Sequence, residues 1–280
     1  MISATTLKLG EQCYELSSRA LVMGILNRTP DSFFDRGATF AFDRFLTKAD
    51  EMVAAGADLL DVGGVKAGPG VEVSEAEELD RVARAVAALA QRFDLPISID
   101  TWRASVAEAC FAAGAVLGND ISGFGDERYL TVAAAAGASV VATHIRLRPR
   151  VADPNPVYVD LVRDVGGFLT DRARRAQVAG ISENRIIIDA GLDLGKTAAQ
   201  SLALLRASDE LASLGYPLLL SASNKTFLGA LLELEVGERR IASHAAHALG
   251  ILRGCRILRA HDVAGAVIVR DAIERVLVAA

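Results

Sequence analysis

Eight times along this chain a short apolar run gives way to a longer stretch of helical period, and that alternation limits the fold more than any other feature of the sequence. The runs fall near 20–26, 58–62, 96–99, 115–118, 138–143, 185–188, 217–222 and 255–258. Helical segments follow them, among others over 40–55, 74–92, 103–113, 160–179 and 198–214. Strands separated by helices pair in parallel, because a parallel neighbour is reached only through a long crossover. Eight such units in 280 residues match the roughly 250 usual for a closed barrel, so the expectation is an α/β chain folded as one (β/α)8 TIM barrel spanning 1–280. Residues 1–19 precede the first barrel strand and are expected to form a hairpin closing the bottom. Ser74 followed by Glu77 predicts a capping box at a helix start.

Composition agrees with buried parallel strands. Hydrophobic residues make up 51% and aromatics only 5%, so Ala, Val, Leu and Ile must fill the core. The net charge of −5 offers no broad attraction for nucleic acid or an anionic membrane, and no apolar run is long enough to span a bilayer. Any phosphate site is therefore local. Cys13, Cys110 and Cys255 are widely spaced and odd in number, which points to a reducing compartment; with no basic and apolar leader at the N-terminus, the expected location is cytoplasmic.

Barrel enzymes place their chemistry just after the strands, and here those positions are polar throughout. Asn27 leads into Thr29, Pro30, Asp31 and Ser32; Asp61 leads into a glycine-rich loop from Gly63 to Gly70. Asp100 and Thr101, Asn119 and Asp120, His144, and Asp189 with the run GLDLGKT end the next four strands. Ser223, Asn224 and Lys225 follow the seventh strand, and Arg259, His261 and Asp262 the eighth. Asp or Asn before a helix is often only a cap. Eight polar rims in one molecule ask for more.

Asp100 and Asp189 beside the amide of Asn119 suit a planar heterocycle, whose ring N–H and acceptor atoms lie in one plane. Lys225 suits a ring carbonyl or nitrogen, or merely a neighbouring side chain. Arg259 and His261, two apart, suit an anion together with the N–H groups of the next helix start. His244 and His247 lie three apart on a late helix; no third ligand accompanies them, which favours packing over metal binding. GLDLGKT lacks the spacing of a phosphate-binding P-loop, and Gly191 and Gly195 are expected to serve its turns.

With these residues laid out, the chain resembles the dihydropteroate synthase family over almost its whole length. MGILNRTPDSFFDRG at 23–37, DVGG at 61–64, SIDT at 98–101, ND at 119–120, DAGLDLGKT at 189–197, SNK at 223–225 and RAHDV at 259–263 occur in family order and spacing. The resemblance implies the same barrel and the condensation of a dihydropterin pyrophosphate with p-aminobenzoate in folate synthesis. It implies that Asp100, Asn119, Asp189 and Lys225 hold the pterin, with Thr226 also on the substrate. Asn27, Arg259 and His261 would hold the pyrophosphate, Asn27 also binding Mg2+. Asp35 and Lys225 become the catalytic positions, Asp35 steadying positive charge on the exocyclic carbon. A homodimer through the late helices is implied in the same way.

The departures cluster. Where the family's second loop reads GGESTRPG, this chain has Gly63, Gly64, Val65, Lys66, Ala67, Gly68, Pro69 and Gly70, without the arginine that helps the first two loops close. The family's GFGK appears as Asp193, Leu194, Gly195 and Lys196, its SRK as Ser223, Asn224 and Lys225, and Arg28 stands where valine is common. The pterin and pyrophosphate half thus reads as nearly intact and the aminobenzoate half as rewritten. The expectation is a diverged homologue that binds pterin-like or sulfa-like ligands with weak or lost synthase activity. A working transferase on p-aminobenzoate or another amine is the first alternative, and a ligand-responsive or partner-binding protein the second. A pterin-dependent methyltransferase fits less well, given Arg259 and His261.

Overall fold

The computed structural model describes residues 6–28 and 42–278. A two-stranded antiparallel hairpin, β1 (Thr6–Leu9) and β2 (Gln12–Glu15), comes first. The repeating unit then runs β3 (Leu21–Asn27), α1 (Phe42–Ala54), β4 (Leu59–Gly63), α2 (Glu75–Arg92), β5 (Ile97–Asp100), α3 (Ala104–Ala112), β6 (Leu117–Asp120), α4 (Tyr129–Ala135) and β7 (Ser139–Thr143). It continues with α5 (Leu161–Val178), β8 (Ile186–Asp189), α6 (Ala198–Arg206), α7 (Ser208–Ala212), β9 (Leu218–Leu220), α8 (Thr226–Leu232), α9 (Arg240–Leu252), β10 (Cys255–Ala260) and α10 (Val263–Val278). β3 to β10 form one closed parallel barrel in sequence order, β10 pairing with β3.

The expected barrel is therefore present, with instructive differences at the edges. The fourth barrel strand begins two residues later than expected, which puts Asn119 and Asp120 inside β6. The segment 198–214 is two helices, α6 and α7, broken at Ala207, whose backbone (φ −94°, ψ 19°) is not helical. Ser74 caps α2 by accepting the amide of Glu77 at 3.2 Å, but the carboxylate of Glu77 pairs with Arg81 instead of closing the box. A complete box occurs at α6, where Thr197 and Gln200 cap one another.

Two shells of apolar packing hold the barrel. Outward-facing strand residues such as Val22, Leu60, Ile99 and Val140 meet the helices, whose contact stripes are Ala- and Leu-rich. Inward-facing Leu21, Met23, Leu59, Leu117, Val141, Ile187, Leu219 and Ile257 fill the bore. Leu7, Leu9 and Leu16 join that inner cluster, so the N-terminal hairpin closes the bottom as expected. At about 1.5–3 kcal/mol for each buried leucine, this burial suffices to hold a hairpin that has no long ladder of its own. Arg185 donates to the Gly10 carbonyl at 3.0 Å and Arg256 to that of Leu16 at 2.8 Å, fastening both ends.

Candidate functional site

Alternation along a strand turns the inner apolar layer into a polar one a single storey higher. Leu59, Leu117, Ile187 and Ile257 face the bore, so the residues two further on, Asp61, Asn119, Asp189 and Arg259, face it too, nearer the C-terminal mouth. Register aligns the neighbours: Asn27 lies beside Gly63, Gly63 beside Asp100, and Asp100 beside Asn119. Gly63 makes room in this row. A Cβ there would lie 3.2 Å from Asn27 Oδ1.

Asp61, wholly buried, is the hub of this storey. Its Oδ1 accepts from Ser98 Oγ at 2.5 Å, and its Oδ2 accepts from Asn119 Nδ2 at 3.1 Å and Arg259 Nε at 2.6 Å. Arg259 Nη2 donates to Asp100 Oδ2 at 2.8 Å, so one guanidinium links two carboxylates. Burial pushes Asp100 up to about 7, against the pull of Arg259 and Lys225 and with help from Asp61. Burial disfavours charge on Arg259 as well, but Asp61 and Asp100 outweigh it and its pKa is raised. Asp61 leads into the glycine-rich loop in the sequence and is not among the expected site residues. Its parity with Leu59 was the available signal.

Asp189 lies across the mouth. Its Oδ1 accepts the Gly191 amide at 2.7 Å; burial raises its pKa, while that amide, Lys225, Lys196 and Arg259 pull it down. Lys225 Nζ donates to the Leu192 carbonyl at 3.0 Å. Gly191 and Gly195 both take φ of 63°, as the turn reading expected. Lys196 is buried beneath them, Nζ lying 2.8 Å from His144 Nδ1, 2.8 Å from the Gly191 carbonyl and 3.1 Å from that of Leu194. Burial lowers Lys196 to about 7, and burial with the Lys196 charge lowers His144 to about 3. This lysine braces its own loop.

The structure places the other expected residues less uniformly. His261, just past β10, faces Ser223: its Nδ1 lies 3.0 Å from Ser223 Oγ, and its amide donates to that oxygen at 3.2 Å. Arg259 and His261 thus engage opposite walls, the first the acids of β4 and β5, the second the turn after β9. Thr226 opens α8, and both its amide and its hydroxyl donate to Asp193 Oδ2 at 2.6 Å. Asn224 turns away toward α9, its amide N–H donating to Ser243 Oγ at 2.9 Å. Arg28 lies over Phe42 and Phe45, 5.4 and 5.3 Å from the ring centroids, and belongs to the packing of α1 on α2. Asp35 lies outside the described residues.

The second loop is held by arginines that come from outside it. Arg81 donates to the Gly64 carbonyl at 2.8 Å, and Arg103 to that of Val73 at 2.7 Å. Arg150, from the loop after β7, bonds twice: its amide to the Ala67 carbonyl at 3.1 Å and its Nη2 to that of Val71 at 2.5 Å. Arg103 is itself paired with the buried Glu78, which accepts Thr101 Oγ1 at 2.6 Å.

His247 is wholly buried with neither ring nitrogen bonded, and His244 bonds Asp262 at 3.0 Å. Among the described residues no group of three or more His, Cys, Asp or Glu has metal-binding geometry. No described helix is long and apolar enough to cross a membrane.

Comparison with known proteins places this barrel among relatives. The pterin binding enzyme family matches residues 23–261. The chain is 42% identical to the inactive dihydropteroate synthase 2 of Mycobacterium leprae, over 88% of this chain and 87% of that one. It is 40% identical to the dihydropteroate synthase of Bacillus subtilis, over 88% of this chain and 84% of that one. The crystal structure of the Yersinia pestis dihydropteroate synthase in a sulfonamide drug complex superposes with a TM-score of 0.94 at 39% identity, covering 98% of this chain and all of that one.

Proposed function

The chain belongs to the pterin-binding enzyme family, and we propose that it binds a dihydropterin diphosphate while making dihydropteroate from p-aminobenzoate slowly or not at all. The observation that supports binding is the polar storey of Asp61, Asp100, Asn119, Asp189 and Arg259 above the apolar bore. Carboxylates at Asp100 and Asp189 accept the N–H groups along one edge of the ring, Asn119 offers both a donor and an acceptor, and Lys225 donates to a ring acceptor. A guanidinium has five N–H donors, of which Asp61 and Asp100 take two, so Arg259 keeps donors for diphosphate oxygens. His261 supplies the opposite wall of that anion site.

Asn27 offers one neutral oxygen beside this row, which suits a hard cation held mainly by diphosphate and water. Mg2+ would supply charge neutralisation of the departing diphosphate. In the transfer itself, an amine lone pair forms a C–N bond to the exocyclic carbon as the C–O bond to diphosphate breaks; diphosphate leaves with the C–O bonding pair, and the amine sheds a proton to solvent. Asp35 is the proposed group steadying charge on that carbon, and Lys225 holds the ring whose electrons respond.

Low turnover is supported by the second loop. Gly68 stands where the family has its closing arginine, and the loop backbone is fastened by Arg81, Arg103 and Arg150. Loss of one transition-state donor of this type costs about 3–4 kcal/mol, or ~10^2–10^3 in rate. Identity does not decide the matter, since relatives named inactive and active match almost equally. Calorimetry with dihydropterin diphosphate and Mg2+, beside a diphosphate-release assay with p-aminobenzoate, tests both halves. Binding with negligible turnover is expected, and turnover at roughly 1–10^3 s−1 would overturn the second half. Rescue of a synthase-deficient strain by the triple variant Ala67→Thr, Gly68→Arg, Asn224→Arg, and not by the natural chain, would locate the loss.

A further inference from the structure

A lysine in a loop ordinarily carries its ammonium out to water, yet Lys196 is only 8% exposed. Its partners are backbone carbonyls and an imidazole, not a carboxylate: Nζ lies 2.8 Å from the Gly191 oxygen, 3.1 Å from that of Leu194 and 2.8 Å from His144 Nδ1. Gly191 is bound at both ends, for its amide donates to Asp189 Oδ1 at 2.7 Å while its carbonyl takes Lys196. A Cβ at this position would lie 1.9 Å from the His144 carbonyl oxygen, so only glycine fits, at φ of 63°. His144 is itself fixed. Its ring stands edge-on to Phe168 with centroids 4.8 Å apart, and its amide donates to the Asp189 carbonyl at 2.9 Å.

Resting on the pterin reading above, we infer that Lys196 is a positioning residue for the ring: with His144 as its anchor it holds Gly191, and Gly191 aims the Asp189 carboxylate at the heterocycle. Among the described residues the Gly191 amide is the one hydrogen-bond donor to that carboxylate, and it takes Oδ1, leaving Oδ2 for a ring N–H. Glycine has the widest backbone freedom of any residue, so without a donor on its carbonyl its amide would swing and the carboxylate would turn with it. Lys196 reaches Asp189 a second way, as one of the charges that pull its carboxyl down against burial. The grip survives loss of the lysine's proton. Burial lowers Lys196 to about 7, but a neutral amine keeps N–H groups for both carbonyls, and the His144 tautomer with hydrogen on Nδ1 then donates to the amine lone pair.

The test is a double-mutant cycle, read by calorimetry with dihydropterin diphosphate and Mg2+ on the natural chain, Lys196→Met, Asp189→Ala and the two together. Lys196→Met keeps the stem and removes every donor, and should weaken the ligand about tenfold. In the Asp189→Ala background the same change should cost less than about twofold, since the carboxylate it positions is gone. Inorganic diphosphate, whose proposed contacts are Arg259 and His261, should bind the natural chain and Lys196→Met alike. Lys196→Gln, one atom shorter and still a donor, should fall between the two and carries the same cycle if the methionine variant does not fold. The 15N ring resonances of His144 should shift in Lys196→Met and stay in place in Asp189→Ala. Losses that add in the double variant, an equal loss of inorganic diphosphate, or His144 resonances indifferent to Lys196 would overturn the inference. A natural chain that takes up no dihydropterin diphosphate would overturn the pterin reading itself.

Discussion

At the scale of single residues, Arg259 and Asp100 carry the sharpest expectations. Arg259→Met leaves Asp61 and Asp100 facing each other without their shared cation, and removing one member of a buried pair costs about 3–5 kcal/mol. Denaturant unfolding should register that loss, and calorimetry a fall in diphosphate affinity. Asp100 sets a pH dependence. Its carboxyl is held up to about 7, so below that pH it is protonated and loses one acceptor for ring N–H groups. Pterin affinity should therefore rise by up to about tenfold per unit between pH 6 and 7 and level off above, whereas Asp100→Asn should give a flat profile. Most of these residues were legible in the sequence because each ends a strand that periodicity locates. Asp61 is legible as a polar residue at the second strand's end but is given no role there, and the bore-facing parity of β4 brings it into the site.

Elements show where such reading ends. The strand order and the helical connections followed from periodicity, but the break between α6 and α7 did not, because 198–214 keeps an unbroken apolar rhythm through Ala207. The bond from Thr226 to Asp193 joins the start of α8 to a loop residue 33 positions away, a relation that no local pattern encodes. The second loop is similar: its rewritten sequence was evident, but not that Arg150 reaches it from the loop after β7, 79 residues away from Val71. Arg150→Ala removes the bond to the Val71 carbonyl and keeps the backbone bond to Ala67, so it is expected to loosen the loop around Val71, seen as roughly tenfold or greater acceleration of amide exchange there, with α2 and β4 unaffected. Exchange that stays slow would mean that Arg81 and Arg103 suffice.

For the molecule as a whole, the late helices leave apolar side chains uncovered. Ile241 near the start of α9 is 76% exposed, Leu252 at its end 56% and Ile268 on α10 69%. A second copy of the chain across α9 and α10 is the proposed cover, in keeping with the homodimer that the family resemblance implies. Sedimentation equilibrium at micromolar concentration should give a dimer, and Ile268→Asp a monomer with the same far-ultraviolet circular dichroism. A natural chain that sediments as a monomer would remove this assembly.

The hairpin beneath the barrel has a kinetic consequence. With the bore packed by side chains and Leu7, Leu9 and Leu16 covering its lower end, the polar storey opens only toward the C-terminal mouth, and traffic enters and leaves by the same door. On the proposed pterin reading, a heterocycle seated against Asp61 and Asn119 would lie deepest and would enter before, and leave after, a second ligand above it. Anything lodged above it, inhibitor included, would then slow its escape instead of competing for its place.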